Sequence, residues 1–431
     1  MIEVSELGGA GGRKPTRAMV LHPDIRSLPN RRAPEAALDE AVALAAALPG
    51  LELVGAQVVG LPKAQPGRLF GKGKLEELRV RLHEDEVELV LIDGPVTPVQ
   101  QRNLERDWKV KILDRTGLIL EIFADRARTR EGVLQVELAA LSYQRTRLVR
   151  AWTHLERQRG GLGFVGGPGE TQIEADRRAL DAQILRLRKQ LEKVTRTRAL
   201  HRAARAKVPY PLVALVGYTN AGKSTLFNRL TGAEVMAKDM LFATLDPTMR
   251  AVRLPGGGEA IVSDTVGFIS DLPTQLVAAF RATLEEVLEA DVVVHVRDIA
   301  HAQTEEQAED VRAILAELGV AEAVPVVELW NKADLLDDAA RAALYAQAAR
   351  RDDVAVASAL TGAGLEALSE RITAALGEER LRIELHLPFA EGRKRAWLHD
   401  AGVVEAEAAV EDGHRLTVRW TPRQARRFRE I

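Results

Sequence analysis

The chain has 431 residues, enough for two to four domains with separate cores. Hydrophobic residues make up 46% and charged residues 28%, an ordinary globular balance, and a formal net charge of −2 excludes a uniformly basic protein. With no cysteine there is no disulfide framework and no thiolate metal site, and no apolar run reaches the roughly 18–20 residues of a membrane-spanning helix.

Residues 1–16 are rich in glycine and charge and are expected to form a disordered tail. Residues 1–15 carry acids and glycines where a signal peptide would carry an apolar core, so a cytoplasmic protein is expected. From 17 to 128, apolar runs at 18–21, 51–59, 87–92 and 110–113 alternate with helical patterns at 34–48, 72–83 and 96–107. Strand–helix alternation predicts a parallel sheet with flanking helices, here an N-terminal α/β domain.

Residues 129–208 are basic and helix-favouring, broken once by Gly160-Gly-Leu-Gly-Phe-Val-Gly-Gly-Pro-Gly169. After the break Ile173, Leu180, Ile184, Leu187, Leu191 and Val194 form an a/d seam. A helical stretch at 131–158 lies just upstream, so a hairpin within one chain is expected over a dimeric coiled coil, and hence a monomer. Between residues 176 and 207 lie eleven Lys and Arg against three acids, with Arg145, Arg147, Arg150, Arg157 and Arg159 upstream. A basic hairpin tipped by a glycine loop suits RNA phosphates, with Phe164 free to stack on a base; a merely solvated basic face is the competing reading.

From 209 to 376 the strand–helix pattern returns, and 377–431 reads as a small α/β domain with a basic end, Arg423-Gln-Ala-Arg-Arg-Phe-Arg429. The first of these two regions carries the chemistry. Gly217, Tyr218, Thr219, Asn220, Ala221, Gly222, Lys223 and Ser224 match the phosphate loop G-x-x-x-x-G-K-[ST], after an apolar run and before a helical one. Its backbone N–H groups and the helix N-terminus suit phosphates, Lys223 reaches the β/γ-phosphates, and the Ser224 hydroxyl suits Mg²⁺. Asp264, Thr265, Val266 and Gly267 match D-x-x-G, with Asp264 on magnesium through water and the Gly267 N–H on the γ-phosphate.

Asn331, Lys332, Ala333 and Asp334 match N-K-x-D. A carboxylate at Asp334 accepts from guanine N1–H and N2–H, a donor pair adenine lacks, so GTP and GDP are the expected ligands. Ser358, Ala359 and Leu360 follow the last strand and present the Ala359 N–H to guanine O6. The four motifs run in order, each at the C-terminal end of an expected strand, where open α/β sheets bind ligands. That predicts a Ras-like P-loop G domain. Thr244, among Phe242, Ala243, Thr244, Leu245 and Asp246, is the first candidate to cap magnesium, with Thr248 second. Lys223, Thr244 and Gly267 are the expected catalytic groups. Ras-like enzymes place a water-orienting Gln directly after D-x-x-G, where this chain has Phe268, so hydrolysis is expected to be slow alone and to need a partner.

Together the residues resemble the HflX family of ribosome-associated GTPases, over about residues 17–376. The likeness rests on Gly71-Lys-Gly-Lys-Leu-Glu-Glu-Leu78, Leu113-Asp-Arg-Thr-Gly-Leu-Ile-Leu-Glu-Ile-Phe123, Glu131-Gly-Val-Leu-Gln-Val-Glu-Leu138, Gly167-Pro-Gly-Glu-Thr-Gln172 and Phe242-Ala-Thr-Leu-Asp-Pro-Thr248. It implies that 242–246 closes over the nucleotide with Thr244 on magnesium, and that an apolar residue stands at the catalytic position, as Phe268 does. It further implies binding to the large ribosomal subunit and its RNA near the peptidyl-transferase region, not to DNA, and splitting or rescue of stalled ribosomes under stress. Many members carry an Arg shortly before Gly-Pro-Gly-Glu, where this chain reads Phe164-Val-Gly-Gly167. The alternatives are a ribosome-assembly GTPase and an RNA-binding regulator in which hydrolysis is incidental. For Gly71–Lys74 the choice lies between an ATP site and a structural or RNA-facing turn.

Overall fold

Ala18 and Val20 point to one side of strand β1 (Thr16–Ile25), Met19 and Leu21 to the other, and all four are buried. A strand buried on both faces needs helices on both, which is the doubly covered parallel sheet. The structure, a computed structural model, describes residues 14–27, 32–158, 168–205, 210–233, 240–245, 248–255, 258–270, 284–320, 324–377, 381–410, 412–420 and 422–429. After β1 come α1 (Pro34–Ala46), β2 (Leu51–Leu61), α2 (Lys72–Glu84), β3 (Leu89–Ile92), α3 (Pro98–Trp108), β4 (Lys111–Asp114) and α4 (Arg115–Arg126). The strands run parallel in the order β2-β1-β3-β4. Leu44 of α1 and Ile119 of α4 share one core with Ala18 and Val20; Leu78 of α2 and Trp108 of α3 share the other with Met19 and Leu21.

One helix differs from the sequence expectation, and one open reading is narrowed. Helix α4 was not expected: Leu118-Ile-Leu120 and Ile122-Phe123 are buried almost all round, so they show no one-sided 3.6-residue stripe. The helix is started by Asp114, whose carboxylate accepts from the Gly117 N–H at 2.8 Å. The Gly71–Lys74 stretch is the start of α2, as the helical pattern at 72–83 implied, and Lys74 Nζ lies 2.7 Å from Glu77, a neighbour one turn away.

Helices α5 (Arg130–Gln158) and α6 (Pro168–Arg205) pack against each other as the expected hairpin. On α6 Ile184 is buried and Leu180, Leu187, Leu191 and Val194 are half-buried, while Leu185 is 55% exposed, so the seam falls where the heptad put it. Arg145 crosses the hairpin to Asp181 at 2.7 Å. Residues 159–167, Phe164 among them, and the side chain of Ile173 lie outside the described part.

The next sheet has six strands in the order β10-β9-β8-β5-β7-β6. It is built from β5 (Leu212–Gly217), α7 (Lys223–Thr231), β6 (Thr248–Arg253), β7 (Glu259–Asp264), α8 (Glu285–Leu288), β8 (Val292–Asp298), α9 (Thr304–Leu318), β9 (Val326–Asn331), α10 (Asp338–Ala348), β10 (Val354–Val356) and α11 (Leu365–Leu376). Only β6 runs antiparallel. Of the helix expected over 278–289, Glu285–Leu288 is described and 271–283 lies outside. A third, antiparallel sheet, β11-β13-β12, joins β11 (Leu381–Pro388), β12 (Val404–Val410) and β13 (Gly413–Trp420). Helices α12 (Gly392–Asp400) and α13 (Pro422–Arg429) cover it, with Leu398, Leu416, Trp420 and Phe428 as its core.

The first two sheets are not insulated from each other. One continuous apolar cluster runs from Leu44, Ile119 and Phe123 to Tyr218, Phe242 and Phe268. Helices α1 and α4 therefore close over the motif-bearing end of the six-stranded sheet.

Candidate active site

The loop between β5 and α7 is shaped by two glycines. Gly217 (φ 153°) lies against the Val296 backbone and Gly222 (φ 96°) against the Asn331 amide, and a Cβ at either would collide. Lys223, at the start of α7, is buried and donates from Nζ to the carbonyls of Gly217 (3.1 Å) and Tyr218 (2.8 Å). Burial lowers its pKa to about 8, against the pull of Asp264.

Three oxygens expected around magnesium converge. Ser224 Oγ donates to Asp264 Oδ2 at 2.7 Å, Thr244 Oγ1 does so at 3.0 Å, and the two hydroxyls stand 2.8 Å apart. Burial raises the Asp264 pKa, opposed by the Ser224 bond and Lys223. Its other oxygen, Oδ1, is buried without a hydrogen-bond partner among the described residues, as is Thr219 Oγ1 in the loop. Gly267 packs so closely that a Cβ would lie 2.9 Å from Thr219 Cα and 3.0 Å from Lys223 Nζ. Thr265 is an anchor, its hydroxyl donating to the Leu215 carbonyl at 2.6 Å, and Val266 is core.

At the base end, Asn331 Nδ2 donates to the Ala221 carbonyl (2.8 Å), which ties N-K-x-D to the phosphate loop. Asn331 Oδ1 accepts from the Ala359 N–H at 2.9 Å. Lys332 (φ 63°) pairs with Asp298 at 2.7 Å, Ala333 is buried, and Ser358 Oγ accepts from the Thr361 N–H at 3.1 Å. Asp334 Oδ1 is buried with no partner among the described residues, while the Leu360 side chain is 71% exposed. Asn220 is exposed at φ 59°.

Phe242 and Phe268 belong to the shared core. The Phe242 ring (φ 56°) meets Phe123 edge-on at 4.6 Å between centroids. Phe268 is 1% exposed, and its backbone donates to Gly217 O (3.1 Å) and accepts from Thr219 N–H (2.7 Å). Ala243 is half-buried, Leu245 is buried, and Asp246 lies outside the described residues.

A charged network at this site escaped the sequence reading. The Tyr218 hydroxyl donates to Glu40 of α1, lies 2.6 Å from Ser270 Oγ and accepts from the Ser270 N–H at 2.8 Å. Ser270 Oγ donates onward to Asp310 of α9 at 2.6 Å. Arg115, 5% exposed, donates to Asp93 (2.7 Å), Glu40 (2.5 Å) and the Ser270 carbonyl (2.9 Å). Burial of Glu40 would raise its pKa, but Arg115 and Arg32 hold it below the usual value. Arg115 sits inside a motif quoted above for resemblance alone, and nothing in its spacing points to position 40.

Arg147, counted above toward an RNA-facing set, donates instead to Asp114 (2.9 Å) and to Tyr143 (2.7 Å). From α5 it thus reaches Asp114, the last residue of β4 in the N-terminal sheet.

The chain is similar in sequence to known proteins over most of its length. Family models match residues 35–124 (GTP-binding GTPase N-terminal), 126–205 (GTP-binding GTPase Middle Region), 212–332 (50S ribosome-binding GTPase) and 343–430 (HflX C-terminal domain). The GTPase HflX of Magnetococcus marinus is 52% identical over 95% of this chain and 93% of its own, and that of Escherichia coli 46% over 83% of each. The chain belongs to the HflX family of GTPases. A solved GTP-binding protein from Sulfolobus solfataricus in complex with GDP is 23% identical over 84% of this chain and 98% of its own, at a TM-score of 0.44. As a member of the HflX family, this chain is a GTP-binding enzyme that hydrolyses GTP. The HflX likeness also extends past residue 376, where the sequence reading had ended it. Among the described residues no helix is long and apolar enough to cross a membrane.

Proposed function

We propose that this GTPase is magnesium-dependent, binds the large ribosomal subunit through RNA, and uses its nucleotide state to switch that association, splitting or rescuing stalled ribosomes. The observation that carries the nucleotide part is the meeting of Ser224, Thr244 and Asp264, together with two buried carboxylate oxygens, Asp264 Oδ1 there and Asp334 Oδ1 at the base end, that have no partner among the described residues. A buried oxygen left unpaired costs on the order of 1–3 kcal/mol, so both suit ligands from outside the chain. The hard oxygen set fits magnesium, with Ser224 and Thr244 as ligands and Asp264 acting through water. Bound there, the ion would neutralise charge on the β- and γ-phosphate oxygens.

The chain's own groups supply the rest. Loop 217–224 wraps the phosphates with its N–H groups, and Lys223 turns from two carbonyls to phosphate oxygens. The Gly267 N–H faces the γ-phosphate, the 242–246 segment covers it, and Asp334 with Ala359 selects guanine. Phe268 is in the core and has no group to orient water, so turnover is slow until the partner supplies or positions one.

Support for the partner comes from the hairpin, where Arg178, Arg186, Arg188, Lys189, Lys193 and Arg196 are exposed off the seam. The description of the matching central model as a 50S ribosome-binding GTPase points the same way. We read the domain limits as 17–128, 129–208, 209–376 and 377–431, and the site of action as the cytoplasm. Multiple-turnover hydrolysis should rise at least about tenfold when purified large subunits are added, the scale on which one missing transition-state interaction is restored. A rate as high in isolation as with subunits would overturn the switch reading.

A further inference from the structure

Arg229, in the last turn of α7, reaches across to the loop that follows β10. Its NH2 donates to the Leu360 carbonyl at 2.5 Å, and its guanidinium lies on Gly362, close enough that a Cβ there would sit 3.6–3.7 Å from it. This loop carries the Ala359 N–H. Its own bonds, Ser358 N–H to Ala363 O (2.9 Å), Gly362 N–H to Ser358 O (2.8 Å) and Thr361 N–H to Ser358 Oγ (3.1 Å), close the loop on itself. They fix its shape but not its place relative to α7. Gly362 (φ 89°) and Gly364 (φ 79°) let it turn that tightly. The Leu360 side chain, 71% exposed, anchors nothing.

Among the described residues, two bonds from outside hold the tip. One runs from the Ala359 N–H to Asn331 Oδ1, and this is the donor that guanine O6 would share. The other is Arg229, which the base does not touch. We propose that Arg229 is a positioning residue for guanine recognition: it pins the 358–364 loop to α7 so that the Ala359 N–H stays aimed at O6 when the base engages it. This rests on the base-pocket reading of Asp334 and Ala359 given above. Arg229 lies six residues along α7 from Lys223, about 9 Å at 1.5 Å per residue, and so acts on the base end and not on the phosphates.

The test compares equilibrium binding of GDP, 6-thio-GDP (O6 replaced by the weaker acceptor sulfur) and IDP (no 2-amino group) to the full chain. In Arg229→Ala, GDP affinity should fall about 3- to 10-fold, the worth of one ordinary solvent-exposed hydrogen bond, with kcat at saturating GTP unchanged. The preference for GDP over 6-thio-GDP should shrink, while that for GDP over IDP, which reads Asp334, should persist. Arg229→Lys, which keeps one donor, should recover most of the loss. Unchanged GDP affinity, or an equal loss for all three nucleotides accompanied by a fall in kcat, would overturn the proposal. Asp334→Asn tests the underlying reading separately: if it fails to shift preference toward xanthosine diphosphate, the base pocket itself is wrong, whatever Arg229 does.

Discussion

The hydroxyl of Tyr218, second residue of the phosphate loop, donates to the carboxylate of Glu40, on the first helix of the N-terminal sheet. The same carboxylate takes Arg115 and Arg32, and Arg115 in turn holds the Ser270 carbonyl just beyond D-x-x-G. One half-buried carboxylate thus links the N-terminal sheet to the phosphate loop directly and, through Arg115, to the segment after D-x-x-G.

The pair should therefore be energetically coupled. Tyr218→Phe is expected to cost about 1–2 kcal/mol, and Glu40→Ala about 3 kcal/mol because it strips Arg115 and Arg32 of a shared counter-charge. In the double variant the losses should fall short of their sum by about 1 kcal/mol or more. Denaturant unfolding of the four proteins measures this; additivity within about 0.5 kcal/mol would remove the link.

Acid should weaken the fold in two stages. His295, on β8, is 2% exposed, and burial lowers its pKa from 6.5 to about 4. Between those values the unfolded chain binds more protons, so stability is full above pH 6.5 and is lost as pH falls toward 4. The depressed pKa of Glu40 adds a second loss, of stability present above its unfolded value near 4.5 and surrendered as pH falls through the folded one. His295→Gln should flatten the melting temperature between pH 6.5 and 4, and Glu40→Gln only below about 4.5. A wild-type melting temperature constant from about pH 7 to 4.5 would refute the first assignment.

Lys223 shows function overriding stability. Its pKa falls from 10.5 to about 8 through burial, so below pH 8 the fold carries a charged amine at a cost on the order of 3 kcal/mol, relieved only as pH rises toward 10.5. The two carbonyl bonds recover part of this. Lys223→Met should accordingly leave the nucleotide-free protein at about pH 7 as stable as wild type or more so, while abolishing the stabilisation that GDP gives. A melting temperature lowered by more than about 3 °C without nucleotide, on the scale of 1 kcal/mol for a domain of this size, would contradict that account.

The nucleotide motifs could be read because each places a fixed residue type at the end of a strand, and the strands themselves show as apolar runs between helical patterns. Ser224, Thr244 and Asp264 come together although 40 positions separate the first from the last. The seam from Leu180 to Val194 was equally legible from heptad spacing. Helix α4 was not, because a helix covered on nearly all sides loses the one-sided stripe that marks helices. Nor was the fate of Arg147 or Glu40: a charged residue on a helix looks solvated until the fold brings Asp114 or Arg115 to it. Periodicity records which face is buried, not which buried charge meets which.

The hairpin offers the most direct test of the partner. Arg186, Arg188, Lys189 and Lys193 are exposed, and no ion pair is formed by Arg186, Arg188 or Lys189 among the described residues, whereas Arg196 pairs with Glu192 and Arg145 with Asp181. Charges that neutralise phosphates release counterions, so their removal should lower both affinity and its salt dependence. Replacing Arg186, Arg188 and Lys189 with Gln should weaken binding to large subunits about tenfold or more and reduce the salt slope by roughly one for each phosphate no longer neutralised. The melting temperature should hold, because these side chains point away from Ile184 and the seam. Binding measured at several salt concentrations decides it: a fall in affinity with an unchanged slope would mean that the hairpin's charge is not what meets the RNA.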